Sequence, residues 1–470
     1  MDGILKKIRQ SDAFNRENRV PYLKVIVLMS LFTFVFLGAE FLFVNMISRI
    51  VSGHRSVAAQ NYALGVSAVG FVLYPLLCRF CKGNAQTSVS VCAAVISNAC
   101  LFLMCRSGSY TLTLIAGLLL FLILGVFGSA VFYKSLCLLE DNTHIARLTG
   151  ISYMLGTMLQ IANSNLVHID IAEAAILSVF IMLLALMLIR AEKNSVVPAL
   201  SKSEPDGGNG RESLKISVIL VFFVALMTCI FSTLDNAVTL IHASGEANIG
   251  QWPRVLLALS GLLAGFLFDT ASRKYMSIVM YCITVLSTTC LVVLQFAGSF
   301  TVGLVIFYLA AGFFAVFFTV SFMEIARYTE TPELWAGLGR AVNNLVAVLI
   351  SGGSLALLNS GNNIAIITIE LLLFVLASVA AFAYMNKRKA FFDGLEAEAA
   401  DKLQKLAKQF SLTPREAEVF GLLVNTEDGL QTIADNLYVS RRTLERYVSA
   451  IYEKTGARSR IGLVTLYNNA

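Results

Sequence analysis

Charge is scarce in this chain: Asp, Glu, Lys and Arg make up 14% of its 470 residues, whereas 57% are hydrophobic. Soluble domains carry about 25% charged and about 45–50% apolar residues, so a purely soluble protein is excluded. Signatures of catalysis are missing as well. There is no Gly-x-x-x-x-Gly-Lys-Ser/Thr loop to cradle a phosphate, no His/Cys cluster with zinc spacing and no serine-hydrolase elbow. An enzyme is not expected, nor a cofactor or metal. The nine cysteines lie in or beside apolar runs, and the C-terminal segment has none. Cys78 and Cys81 have CxxC spacing, but no second pair completes a metal site, so they read as small apolar helix residues. A cleavable leader is also not expected, because a long basic stretch precedes the first apolar run and no convincing small-residue cleavage site follows.

What the chain has in abundance is apolar runs. About twelve reach the roughly 20 residues that cross a bilayer as helix. They start near Tyr22, Tyr62, Thr87, Thr111, Ile145 and Ile171, then near Ile216, Val255, Tyr275, Thr301, Trp335 and Ile364. The expected fold class is all-α: a polytopic twelve-helix membrane bundle with a small helical domain at the C-terminal end. Lys and Arg cluster in alternate loops, with Lys6, Lys7, Arg9, Arg16 and Arg19 before the first run and Arg273–Lys274 and Lys387–Arg388–Lys389 later. By the positive-inside rule both ends face the cytoplasm. The net charge of +6 is then a topological signal more than a sign of general nucleic-acid affinity.

The expected organisation is an N-terminal cytoplasmic segment (1–21), a six-span half (22–190), a polar linker (191–214), a second six-span half (215–385), an amphipathic helical segment (386–410) and a C-terminal domain (411–470). The linker, rich in Ser, Gly and Pro, cannot bury enough surface to fold alone. Two bundles place any ligand site between them.

"GFLFDTASRK", from Gly265 to Lys274, closes the eighth run on the cytoplasmic side. It resembles the Gly-x-x-x-Asp-x-x-x-Arg-Arg/Lys loop motif of the major facilitator superfamily of transporters. Gly265 permits close helix approach, and Asp269 can pair with Arg273 or a neighbouring helix as a conformational latch, with Lys274 completing the motif. The stretch after the second run lacks the acid. Ionisable residues within spans are costly and are functional candidates. Glu40 lies late in the first run, Asp235 and Asn236 late in the seventh, and Glu370 in the twelfth. The resemblance implies that the first, fourth, seventh and tenth spans line a cavity, which favours Glu40, Asn45, Asp235 and Asn236 as outer-facing ligand contacts. Tyr133, Lys134, Glu324 and Arg327 fall toward the cytoplasmic end. Asn343, Asn344, Gln160, Asn163 and Asn165 read as hydrogen-bond glue between helices.

After Tyr384 the composition turns polar. Leu395, Ala399, Leu403, Leu406 and Phe410 recur at spacings of three and four, an amphipathic stripe. It reads as an extension of the last span, a helix on the membrane, a dimer seam, or a helix packed on the next domain. Thr413, Pro414 and Glu416 then form a helix-start signal, a capping box. Val419, Leu422 and Leu423 give that helix a core face, a short helix follows at Leu430–Leu437, Ser440 caps a third carrying Leu444, Val448 and Ile451 inward, and Ser459 starts a fourth.

The stretch from Ser411 onward resembles the LuxR/NarL-type helix-turn-helix domain. Its landmarks are Leu412-Thr413-Pro414-Arg415-Glu416, Ile433-Ala434, Val439-Ser440, Thr443-Leu444, Tyr447-Val448 and Arg458-Ser459-Arg460. The resemblance implies a recognition helix over Ser440 to Lys454 that enters the major groove, with Arg442, Glu445, Arg446 and Ser449 facing bases and Arg441, Thr443, Arg458 and Arg460 holding phosphates. Gln431-Thr432 and Glu445 depart from the family's usual residues. The expected partners are double-stranded promoter DNA, membrane lipid, an unidentified small-molecule ligand and a second copy on DNA. The expected function is a bacterial membrane-embedded transcription regulator that senses a small molecule; the alternatives are a secondary transporter with a DNA-binding tail and a passive membrane anchor.

Overall fold

An apolar run can enter lipid only if its backbone polar groups are paired within the segment, a condition that helices meet. In the computed structural model every regular element is helical among the described residues, which are 19–51, 53–139, 144–194, 209–243, 253–297, 300–426 and 429–468. The chain divides into two compact units at Asn386 and Lys387.

The first unit holds α1 (Arg19–Ser48), α2 (Gly53–Phe80), α3 (Asn84–Arg106), α4 (Tyr110–Leu138), α5 (Ile145–Leu166) and α6 (Asp170–Asn194). The second half of the unit holds α7 (Asn209–Ala243), α8 (Pro253–Phe268), α9 (Met276–Ala297), α10 (Phe300–Ala326), α11 (Pro332–Asn359) and the start of α12 (Asn363–Gln409), with a 3-10 turn at Thr270–Arg273. Nine of the described helices are long and apolar enough to cross a membrane, and apolar segments of α8 and α9 are shorter. The twelve helices carry the twelve expected runs; α5 is diluted by Thr149, Ser152, Gln160 and Asn163. Most of the expected 191–214 linker, and residues 1–18 of the N-terminal segment, lie outside the described residues.

We call the side on which α1 begins the near side. The two halves meet where α2 packs on α11 and where α5 packs on α8. The second contact is close because both helices present glycine: a Cβ built on Gly150 would lie 2.8 Å from the Gly265 Cα, and one on Gly265 would lie 2.9 Å from the Gly150 Cα. Phenylalanine fills much of the interior. Phe231 stacks on Phe314 with ring centroids 4.8 Å apart, and Phe223 meets Phe317 edge-on at 5.7 Å.

The second unit has its own core. Val419, Phe420 and Leu423 of α13 (Pro414–Asn425), Ile433 and Ala434 of α14 (Leu430–Asn436), Leu444, Val448 and Ile451 of α15 (Arg441–Thr455), and Leu463 of α16 (Arg460–Asn468) are buried together. The last turns of α12 belong to this core: Leu406 is buried in it, and Leu403 and Phe410 pack against it. The amphipathic stripe is therefore spent, at this end, within its own domain and is not free as a dimer seam. Lys402 also lies over the Tyr467 ring at 5.0 Å.

Local chemistry sets the helix ends. Thr413 and Glu416 form a reciprocal capping box, and Ser440 accepts from the Thr443 N–H to cap α15. Gly456 ends α15 in the left-handed region at φ 71°, a conformation that favours glycine.

Candidate ligand site and nucleic-acid interface

On the near side the halves are bolted by charge. The Asp269 carboxylate accepts from the backbone N–H of Arg147 at 2.8 Å and of Ala146 at 3.3 Å, so it caps the start of α5 from another helix. The Arg273 guanidinium, buried and with its backbone at φ 65°, pairs with Asp269 at 3.3 Å and with Glu324 of α10 at 2.7 Å. Lys274 is exposed beside them. Arg327 donates to the carbonyl oxygens of Leu136 and Leu139, tying α10 to the end of α4. Tyr133 and Lys134 are half-buried on α4.

Amides and hydroxyls join the halves farther along. Asn61 of α2 donates to Asn236 and Ser351, Asn236 donates to Ser354, and Asn344 donates to Ser67. Within the second half, Asn343 accepts from Thr228. Asn236, expected among ligand contacts, is instead buried in this net. Its amide is already occupied by α2 and α11, which leaves little for a ligand to bind. Gln160 and Asn165 bond within α5, to Ser164 and to the Ile161 carbonyl.

Beside this amide net lie Glu40 and Asp235, each half-buried: Asp235 directly precedes Asn236, and the Gln60 that binds Glu40 directly precedes Asn61. Gln60 of α2 donates to Glu40 at 2.8 Å. Arg254 and Arg340, which the sequence reading passed over, join them: Arg340 is within electrostatic reach of Glu40 and Tyr153, and Arg254 of Asp235, Tyr153 and Tyr308. Arg340 is held between Phe36 and Phe318, 4.9 and 5.6 Å from the ring centroids, and Arg254 lies 5.3 Å over Phe41. The rule that singled out in-span carboxylates applies equally to Arg340, about two turns into its span. Asn45 is half-buried near the far end of α1, and Glu370 is buried in α12 with Oε2 unpartnered. Among the described residues no group of three His, Cys, Asp or Glu is placed to hold a metal.

In the second unit, α15 presents Arg442, Glu445, Arg446, Ser449 and Glu453 around a shallow open concavity. Arg442 and Arg446 are exposed. Glu445 pairs with Arg441 at 3.0 Å, and Ser449 donates to the Glu445 carbonyl. Thr443 is engaged by the Ser440 cap, and Arg458 is exposed. Arg460 differs from expectation: its guanidinium donates to the carbonyls of Leu423 and Thr426 and so closes the end of α13. It is a structural tie, because those carbonyls have no partner within their own helix.

A bundle of apolar helices with its halves bolted on one side by charge is thus followed by a small helical domain with a basic exposed helix face. Residues 410–467 match the family described as "Bacterial regulatory proteins, luxR family". The fold of the rest is that of known transporters. A variant of the E. coli fucose:proton symporter superposes with a TM-score of 0.53 at 13% identity, covering 78% of this chain and 99% of that one. An auto-inhibited peptide transporter of the POT family gives 0.51 at 12%, covering 78% and 96%. A structure of the proton-dependent oligopeptide transporters gives 0.53 at 11%, covering 79% and 99%. Comparison with curated proteins gave no match. The chain thus joins a C-terminal domain that matches the luxR regulator family to a bundle of apolar helices with the fold of known transporters.

Proposed function

We propose that this protein is a one-component transcription regulator of the bacterial cytoplasmic membrane. Its membrane domain senses a small molecule, and its C-terminal domain, with both chain ends in the cytoplasm, binds promoter DNA as a dimer. The observation that carries this reading is the LuxR-type match on the same chain as the bundle, with two arginines displayed on its recognition helix. Arg442 and Arg446 are the base readers, Glu445 is held ready by Arg441 to accept from cytosine, and Thr443, Ser449 and Arg458 position the helix. Ligand binding shifts a bundle with two states, which requires unequal affinity for the two. A promoter reporter driven by the full-length protein, screened against small molecules with a tail-only control, tests this. Ligand-dependent expression seen only with the full-length chain supports it; an identical response from both overturns sensing through the bundle.

A second reading is a secondary transporter with a regulatory tail. The Gly265, Asp269, Arg273 and Lys274 motif and the charges at Glu40 and Asp235 favour it. Uptake into liposomes that Asp235→Asn abolishes would establish transport, whereas specific binding without flux would leave the sensor.

A further inference from the structure

The four charged side chains Glu40, Asp235, Arg254 and Arg340 are not directly paired with one another. No ion pair among the described residues involves Glu40, Asp235, Arg254 or Arg340, and the Arg254 Nε is buried without a hydrogen-bond partner. Each of the four nevertheless keeps some accessible surface, so protein does not fill the space they face. A charge inside a bilayer without a direct ion-pair partner is costly, and the cost falls when an opposite charge is brought into contact with it. Here two cations and two carboxylates, from α1, α7, α8 and α11, share one neighbourhood. Aromatic walls flank it: Phe36 and Phe318 clamp Arg340, Phe41 lies under Arg254, and Tyr153 and Tyr308 pack together with Leu234 and Leu256, next to Asp235 and Arg254. The clamp fixes the plane of the Arg340 guanidinium and so prepares its fork for a carboxylate. Gln60, by donating to one Glu40 oxygen, orients that carboxylate and leaves its other oxygen for a second donor.

From this arrangement we infer that the site takes a small zwitterion of the amino-acid class, whose carboxylate lies on the Arg340 and Arg254 guanidiniums and whose ammonium lies on Glu40 and Asp235. Such a ligand brings an opposite charge into direct contact with both the cations and the carboxylates and leaves the site neutral. The inference rests on the proposal that the bundle binds a small molecule; it names the class.

The test uses the full-length protein in lipid nanodiscs and three probe pools at equal millimolar concentration: the proteinogenic L-amino acids, their decarboxylated amines, and their deaminated carboxylic acids. The amino-acid pool should raise the unfolding temperature, with an apparent affinity roughly tenfold or more above either single-charge pool. Arg340→Gln should abolish the preference for amino acids over amines, Glu40→Gln the preference over acids, and Arg340→Lys should retain a weakened response if the glutamine variant fails to fold. Equal stabilisation by the amine or acid pool, no stabilisation by any pool, or an unaltered preference in both Arg340 variants overturns the class. A promoter reporter separates the two ideas. Binding of an amino acid with no change in expression sinks sensing and leaves the ligand class, whereas expression driven by a molecule that is not a zwitterion sinks the class and leaves sensing.

Discussion

Arg446 has no partner to lose on leaving solvent, and neither has Arg442, whereas Arg460 is committed to the carbonyls of Leu423 and Thr426. The three arginines should therefore behave differently. Arg446→Ala should weaken discrimination at one base position by about 1–3 kcal/mol while leaving the fold intact; a binding titration of a mapped promoter and its single-base variants, if unchanged, removes Arg446 from base reading. Arg460→Ala should instead lower the stability of the domain. Glu416 provides a pH test. Its carboxyl is held below its ordinary value first by the Lys454 ammonium, 2.6 Å away, and then by the Thr413 N–H. A lowered folded-state value means that its contribution is fully present above the ordinary glutamate range and is lost as pH falls through the lowered one. Glu416→Gln should thus destabilise the domain at neutral pH and flatten its acid sensitivity, as read by hydrogen exchange of α13 across a pH series.

At the scale of elements, the crossing of α5 over α8 depends on the absence of two side chains. Gly265→Val places atoms against the Ala146 carbonyl, 2.6 Å from a Cβ at that position, and against Gly150. The helices must part or the variant must lose roughly 1–3 kcal/mol of packing. Asp269→Asn removes the charge that caps α5 and holds Arg273, but leaves Arg273 on Glu324. Spin labels on the near-side ends of α5 and α8 should then report a longer or broader distance distribution; an unchanged distribution would show that Asp269 is no latch. In the second unit, Gly456→Ala forces a Cβ into the left-handed region at the end of the recognition helix and should cost about 1 kcal/mol.

For the molecule as a whole, the near-side charges and the amide net describe a bundle whose halves have few ways to separate without breaking named bonds. On the near side these are Asp269 to α5 and Arg327 to α4; elsewhere they are Asn61 to Asn236 and Ser351, and Asn344 to Ser67. The two-state bundle proposed above would have to break some of these bonds to change state. Mutation of Asn61 to Ala should therefore alter the ligand-dependent expression of a reporter without changing the DNA affinity of the protein, since Asn61 is remote in sequence from the recognition helix and its partners all lie in the first unit.

Much of this was legible in one dimension. Hydropathy marks the runs because lipid leaves the backbone no partner but its own helix, and the capping box and recognition-helix pattern are local in sequence, so Thr413, Glu416 and Ser440 stand where their spacing places them. The burial of Leu444, Val448 and Ile451 follows from helical periodicity in the same way. Which polar groups meet is another matter, because it depends on residues from distant spans. Asn236 is taken up by Asn61 and Ser354, Arg460 by carbonyls of another helix, and Arg254 and Arg340 reach Asp235 and Glu40 only once α1, α7, α8 and α11 are brought together. The sequence by itself determined the helices and the class of each domain, since these depend on local patterns of apolarity and capping; the tertiary structure alone decided which charges are satisfied and which still face open space, since that depends on the company each side chain keeps.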